Sequence, residues 1–191
     1  MAVPLPRSSV LALLCLLCLA SGSPVQKEAK ASRHQGSAGP VYRVSERPAA
    51  HLQADPYISA SLTWSADLDN AFTQGSLTLK NNELLVHHTG LYFVYAQATF
   101  GGLRCPQENR NLVYLRVFLN SVQHEDKMQI LRADKTPCEQ PQDTTPVGWR
   151  KPIFLAGAFK LEKGDSLYVS ASDVETILKE NGATYFGAYA L

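Results

Sequence analysis

The chain has 191 residues, a formal net charge of +1 and 45% hydrophobic side chains. This hydrophobic content is sufficient to bury a core, so disorder of the whole chain is excluded. The charge is unevenly spread, because residues 23–54 carry five basic side chains against two acidic ones, whereas residues 55–191 carry 12 against 15. A near-neutral chain without a basic stripe argues against nucleic acid as the partner.

The N-terminus has the features of a secretory signal peptide. Residues 10–20 (VLALLCLLCLA) form an apolar run that follows Arg7 and precedes the small residues Ser21 and Gly22. A membrane-spanning helix needs about 20 apolar residues, so this run has instead the size of a signal-peptide core. We expect residues 1–22 to be a cleaved signal peptide and the protein to be secreted into the extracellular space. The alternative is a type II anchor that keeps the protein at the cell surface.

The composition changes near residue 47. Residues 23–46 are rich in Lys, Gln, Ser, Gly and Ala and show little apolar periodicity, which predicts a flexible basic stalk. From residue 47 to residue 191, short β-rich runs recur between turn signals and predict one domain. The predicted strands are 49–53, 61–64, 76–80, 84–87, 90–100, 112–120, 127–132, 152–161, 166–172 and 184–191, and the predicted turns are 81–82, 101–102 and 163–165.

Residues 173–182 are the one stretch with a helical pattern. Ser172 and Glu175 have the spacing of a capping box, and apolar residues within 174–178 recur at helical intervals. Ten short strands with one helical turn predict an all-β fold, an antiparallel two-sheet sandwich of jelly-roll type.

The run 91–100 (LYFVYAQATF) is apolar at both odd-numbered and even-numbered positions, apart from Gln97 and Thr99. Successive side chains of a strand point to opposite faces, so a monomer would leave one apolar set facing water. Two interpretations stay open at this point. The sandwich has a thick ordinary core, or the second face is covered by another subunit.

Two of the four cysteines, Cys15 and Cys18, lie within the predicted signal peptide. Cys105 and Cys138 remain, each beside a proline and therefore expected in loops. An even count in a secreted chain favours a disulfide between them, with two free thiols as the alternative.

The sequence contains no recognisable catalytic constellation. It has no Gly-x-Ser-x-Gly elbow, no His-Glu-x-x-His motif and no phosphate-binding glycine-rich loop. The adjacent pair His87 and His88 would point to opposite faces of a strand, and Asp67 and Asp69 lack the further ligands of a calcium loop. We therefore predict a non-enzyme without cofactor or metal.

Several ordered blocks nonetheless resemble the tumour necrosis factor ligand family, in its tumour necrosis factor and lymphotoxin-alpha branch. The resemblance covers about residues 47–191 and ends at the chain terminus. The blocks are 47–52 (RPAAHL), 62–64 (LTW), 90–97 (GLYFVYAQ), Trp149 with 152–155 (PIFL), 159–165 (FKLEKGD) and 185–191 (YFGAYAL).

The resemblance implies a homotrimeric cytokine that binds and clusters tumour necrosis factor receptors and so triggers immune, inflammatory and cell-death signalling. It places Tyr95, Phe154 and Tyr185 around the threefold axis, with Phe93 and Leu191 nearby. It also supports a Cys105–Cys138 disulfide. A heterotrimer with a membrane-bound relative is left open as a second assembly. The alternative function is a jelly-roll recognition module of complement-head or lectin type.

The resemblance also indicates receptor-binding residues in three loops. His124 stands at a loop tip where this branch usually presents tyrosine, which puts the identity of the receptor in question. The residues implied are Asp67, Leu68, Gln123, His124, Ile177 and Glu180.

Overall fold

The computed structural model describes residues 47–103, 112–124, 126–137 and 148–191. These residues form two antiparallel β-sheets, so the predicted all-β sandwich is confirmed. The predicted signal peptide, the predicted stalk and both Cys105 and Cys138 lie outside the described residues, so they stay predictions.

The larger sheet has seven strands and contains the start and the end of the domain. The strands are β1 (Ala49–Ala54), β2 (Trp64–Ser65), β3 (Phe72–Gln74), β6 (Gly90–Gly102), β9 (Trp149–Leu161), β11 (Ile177–Leu178) and β12 (Tyr185–Ala190). β6 is the central strand, with β9 on one side and both β12 and β11 on the other, and β1 continues the sheet from β12 to β2 and β3.

The smaller sheet has five strands in the order β4-β5-β10-β7-β8. An irregularity in register between Val117 and Phe118 interrupts the pairing of its edge strand β8 with β7. The strands are β4 (Leu77–Lys80), β5 (Glu83–Val86), β7 (Val113–Asn120), β8 (Met128–Lys135) and β10 (Ser166–Ala171).

The core lies between the inner faces of the two sheets. Alternate residues of β6, from Tyr92 to Phe100, are buried and pack with buried residues of β7 such as Leu115 and Val117. The hydroxyl of buried Tyr92 donates to the backbone carbonyl of His88 at 2.8 Å, which satisfies the one polar atom of this side chain. The alternation assigns one parity of each strand to the core and leaves the other parity on the outer face.

The predicted helix at residues 173–182 is wrong. Only Val174–Thr176 forms a short 3-10 helix, and Ile177–Leu178 is strand β11 paired with β6. The predicted capping box is absent, because Ser172 Oγ accepts the backbone N–H of Tyr114 at 2.9 Å and Asp173 adopts a left-handed φ of 41°. Tertiary pairing therefore overrides the local helical pattern.

One of the three predicted turns is also wrong. Gly101 and Gly102 continue strand β6, where they pair with Arg150 and Trp149 of β9. A Cβ on Gly101 would lie 2.9 Å from the Trp149 carbonyl oxygen, so this glycine permits close strand contact and makes no turn. The turns at 81–82 and 163–165 are confirmed, with positive φ at Asn81, Asn82 and Gly164.

Candidate functional site

The outer face of the seven-stranded sheet carries a cluster of rings that we call the aromatic face: His51, Phe93, Tyr95, Tyr185 and Tyr189. Strand register brings these rings together. Phe93 pairs with Tyr189, and Tyr95 pairs with Gly187, which in turn pairs with His51 of β1. Ring centroids lie 5.4 Å apart for Phe93 and Tyr189 and 6.2 Å apart for Tyr95 and Tyr185. The apolar residues of β6 that do not face the core therefore form part of one continuous surface.

Hydrogen bonds fix the polar atoms within the aromatic face. Gln53 Nε2 lies 3.2 Å from His51 Nε2, and His51 Nδ1 lies 3.0 Å from the hydroxyl oxygen of Tyr95. An amide nitrogen can only donate, so His51 Nε2 accepts and the ring proton resides on Nδ1, which donates to Tyr95. The Tyr95 hydroxyl in turn donates to the Ala50 carbonyl at 3.3 Å. The chain of donors assigns His51 as a neutral ring of one tautomer.

The environment also favours the neutral form of both titratable side chains at the centre. Burial lowers the pKa of His51 below its ordinary value. Burial, together with the nearby Tyr185 and Tyr189 hydroxyls, raises the pKa of Tyr95 to about 12. The centre of the aromatic face is therefore uncharged near neutral pH, which suits it to a dry contact.

Gly187 allows Tyr95 to lie flat across the sheet. A Cβ at this position would lie 2.3 Å from the Ala50 carbonyl oxygen and 2.5 Å from the Tyr95 hydroxyl oxygen. No side chain larger than hydrogen fits beneath the ring, so the glycine positions Tyr95.

Large apolar side chains within and beside the aromatic face are open to solvent. Phe154 is 55% exposed, Tyr189 41% and Leu191 63%. Phe154 belongs to the same face, because Gln97 pairs with Phe154 on one side and with Tyr185 on the other. The structure thus brings Phe93, Tyr95 and Tyr185 into one cluster and places Phe154 one strand away. An apolar patch of this kind is typical of a surface that another molecule covers.

The residues predicted to bind a receptor lie in three separately anchored segments. Gln123 and His124 are exposed in the β7–β8 loop, where Gln123 donates to a Glu162 carboxylate oxygen at 2.6 Å. Exposed Glu180 forms a two-bond salt bridge with Arg150, with its closer contact at 3.1 Å.

The other three predicted contact residues differ in exposure. Asp67 is exposed and Leu68 half-buried in the segment between β2 and β3. Ile177 is only 6% exposed and belongs to the core. Its predicted contact with a receptor stays a prediction, but its burial argues for a packing role.

Sequence reasoning overlooked one exposed apolar segment. Tyr57 is 86% exposed and Ile58 39% exposed in the loop after β1. Lys179 Nζ donates to the carbonyl of Ile58 and, at 2.8 Å, to that of Ser61, which ties this loop to the segment that contains Glu180. The only signal in the sequence is an apolar pair after Asp55-Pro56 in an otherwise polar stretch.

No metal-binding cluster of three or more His, Cys, Asp or Glu side chains occurs among the described residues. The ring of His87 is engaged by Thr78, whose hydroxyl oxygen lies 2.7 Å from His87 Nε2. Within the part of the chain described by the structure, no helix has the length and hydrophobicity needed to cross a membrane.

Comparison with known proteins identifies the family. The profile of the tumour necrosis factor (TNF) family matches residues 62–191. The chain belongs to the TNF family of cytokines. The predicted family resemblance is therefore confirmed, and the match includes strand β6, strand β12 and all but His51 of the aromatic face.

The individual relatives include both members of the predicted branch, tumour necrosis factor and lymphotoxin-alpha. Tumour necrosis factor of Oryctolagus cuniculus is 37% identical over 153 residues, which are 78% of this chain and 63% of that protein. Lymphotoxin-alpha of Notamacropus eugenii is 36% identical over 151 residues, with 78% and 73% covered, and that of Bos taurus is 37% identical over 161 residues, with 83% and 77% covered. The chain thus spans less than two thirds of the rabbit protein and about three quarters of the two lymphotoxins.

Proposed function

We propose that the protein is a secreted homotrimeric cytokine that binds and clusters TNF receptors, and so triggers immune, inflammatory and cell-death signalling. The observation that carries this proposal is the solvent-open aromatic face of a TNF-family chain. Two further copies of the chain, arranged around a threefold axis, would cover this face in each protomer. The proposed action brings receptors together and makes or breaks no covalent bond, so it requires neither enzyme chemistry nor a cofactor.

The proposed trimer interface comprises Phe93, Tyr95, Phe154, Tyr185 and Leu191. The exposure of Phe154 and Leu191 supports it, because these side chains gain most from being removed from water. A heterotrimer with a membrane-bound relative is a second proposed assembly, since a related chain with a similar apolar face would fit the same interface. Family membership favours this cytokine function over a complement-head-like or lectin-like recognition module.

Receptor contact is proposed for Asp67, Leu68, Gln123, His124 and Glu180, whose loops reach solvent. The experiment measures binding of the full secreted protein to a panel of receptor ectodomains. The panel includes ectodomains of receptors that have a death domain and of receptors that lack one. We expect binding by the trimer and signalling in a reporter cell line, both lost in a Phe154→Asp variant that sediments as a monomer. A wild-type trimer that binds no TNF receptor would contradict the function, and a wild-type monomer would contradict the assembly.

We also propose that residues 1–22 are removed on secretion and that Cys105 and Cys138 form a disulfide. The apolar run of residues 10–20 supports the first proposal, and the even cysteine count of a secreted chain supports the second. N-terminal sequencing and non-reducing peptide mapping of secreted material test both. A first residue near Ser23 would support secretion, whereas retention of residues 1–22 on cells would indicate the type II anchored form.

A further inference from the structure

The outer face of the five-stranded sheet carries a cluster that the proposed cytokine function does not use. We call it the cationic patch, and it consists of Arg116, Phe118, Lys127, Arg132 and Tyr168. Strand register sets it out in rows, because Arg116 pairs with Arg132 of β8, and Phe118 pairs with Tyr168 of β10. Residues two apart on a strand share a face, so these rows lie side by side on one surface.

The guanidinium groups of Arg116 and Arg132 belong to directly opposite positions of the adjacent strands β7 and β8. Like charges so placed destabilise a sheet unless an anion lies between them. Asp134 is the carboxylate that they share, at 3.6 Å from Arg116 Nη2 and 2.6 Å from Arg132 Nε. Arg116 also lies over the ring of Tyr114, 4.0 Å from its centroid. One carboxylate between two guanidiniums leaves this row with excess positive charge, and the Arg132 side chain is 54% exposed.

A stacked aromatic pair separates the arginine row from a third cation. The rings of Phe118 and Tyr168 are nearly parallel, with an interplanar angle of 8° and centroids 4.9 Å apart. Lys127 Nζ lies 4.6 Å from the centroid of the Tyr168 ring. At about 3.4 Å per residue, the row of Phe118 and Tyr168, over which Lys127 Nζ lies, is roughly 7 Å from the arginine row along the strands.

We propose that the cationic patch binds a sulfated glycosaminoglycan chain. Sulfate groups would contact the cations at the two ends of the patch, where guanidinium groups can bind oxyanions with two parallel hydrogen bonds. The sugar rings between them would lie against the aromatic pair. The half-buried rings do not protrude as the apolar anchors of a membrane-bound surface do.

The charge distribution of the domain supports this partner. Residues 55–191 have 12 basic against 15 acidic side chains, yet the patch contains three cations, two of which share the Asp134 carboxylate. The patch thus has a local positive charge on a domain that is mildly acidic as a whole, which favours a polyanionic ligand at that face. The patch and the aromatic face lie on the outer faces of different sheets.

The test measures affinity of the full secreted protein for a size-defined heparin oligosaccharide at several salt concentrations. We expect the double variant Lys127→Gln/Arg132→Gln to bind roughly tenfold to thirtyfold more weakly at physiological salt. The slope of log affinity against log salt should also fall by about 2. The matched control, Lys160→Gln/Lys163→Gln, removes the same charge from exposed positions outside the patch and should retain wild-type affinity.

Three further arms identify the ligand class and the site. Deletion of residues 23–46 should leave a component of binding that depends on the patch. Tyr168→Leu should weaken binding to the patch at constant charge, and the desulfated oligosaccharide should not bind.

Equal losses in the double variant and its control, or disappearance of all binding on deletion of residues 23–46, would overturn the proposal. Single-stranded DNA of equal charge that competes as well as the oligosaccharide would overturn the choice of a sugar polymer. Unchanged receptor binding by the double variant would show that the patch is independent of the cytokine site.

Discussion

At the scale of single residues, His51 in the aromatic face makes the stability of the fold depend on pH. Burial lowers its pKa in the folded protein below the ordinary value of 6.5, which the unfolded chain retains. The unfolded state therefore takes up a proton more readily than the folded state. Stability from the neutral ring is fully present above about pH 6.5 and is lost as the pH falls through 6.5 toward the folded pKa. The groups around the ring, Tyr95, Tyr185 and Gln53, offer no carboxylate to a protonated imidazole.

We accordingly expect the wild-type protein to lose stability between about pH 7 and pH 5, and His51→Gln to lose less over this interval. The measurement is urea unfolding at a series of pH values and one fixed protein concentration, because association shifts apparent stability. His124→Gln is the control, since it removes an exposed imidazole and should follow the wild type. Superimposable pH profiles for His51→Gln and wild type would contradict the role of His51.

Asp165 is a second residue whose environment determines a testable effect. It is 1% exposed, and its two carboxylate oxygens accept the backbone N–H groups of Val122 at 3.0 Å and Glu162 at 2.8 Å. In Asp165→Asn an amide NH₂ would face one of these donors, so we expect a loss of about 1–3 kcal/mol in unfolding free energy. Chemical denaturation measures it, with exposed Asp67→Asn as the control. A loss no larger than that of the control would show that these two bonds contribute little.

At the scale of the strand, Gly187 and the Tyr95 ring depend on each other. Gly187→Ala would place a Cβ within 2.5 Å of the Tyr95 hydroxyl oxygen and even closer to the Ala50 carbonyl. We expect a loss of about 1–3 kcal/mol from overpacking, together with displacement of Tyr95. Thermal unfolding and near-ultraviolet circular dichroism test these effects. Gly148→Ala is the matched control, because its nearest neighbour would lie 3.5 Å away, and equal stability of the two variants would contradict the steric account.

The strands themselves were largely predictable from sequence, because alternating burial follows from local pattern. Strands β3 and β11 were not predicted, since three-residue and two-residue strands have too few residues to show a period. The helix predicted at residues 173–182 failed for a related reason. Apolar spacing there fits a helix locally, but Ile177 pairs with Phe100, a partner that no local pattern reveals.

The candidate site was predictable in part. The apolar residues at both alternating sets of positions in β6 indicate a second apolar face, and Phe93 and Tyr95 lie there. The bond between His51 and Tyr95 joins residues 44 positions apart, so sequence spacing could not indicate it. The burial of Ile177 was likewise not predictable, because it depends on the pairing of Ile177 with Phe100 and not on the neighbouring residues in sequence.

At the scale of the whole molecule, the two outer sheet faces differ in chemistry. The aromatic face is apolar with an uncharged centre, whereas the face that contains Arg116 and Arg132 is cationic. Contact with further copies is proposed at the apolar sheet face, and contact with a charged ligand is proposed at the other. The sandwich thus separates the surface proposed for assembly from the surface proposed for glycan binding.

Assembly itself provides the last prediction. In a closed trimer, Phe154→Asp or Tyr95→Asp would place three carboxylates close to the symmetry axis, where burial of unpaired charge is costly. We expect both variants to sediment as monomers at concentrations at which the wild type sediments as a trimer. Phe154→Asp is the sharper test, because Phe154 is 55% exposed in the protomer, whereas Tyr95 bonds to His51 and Ala50 and its loss also affects folding. Ser170→Asp, on the other sheet, should remain trimeric, so a trimeric Phe154→Asp would exclude this face as the interface.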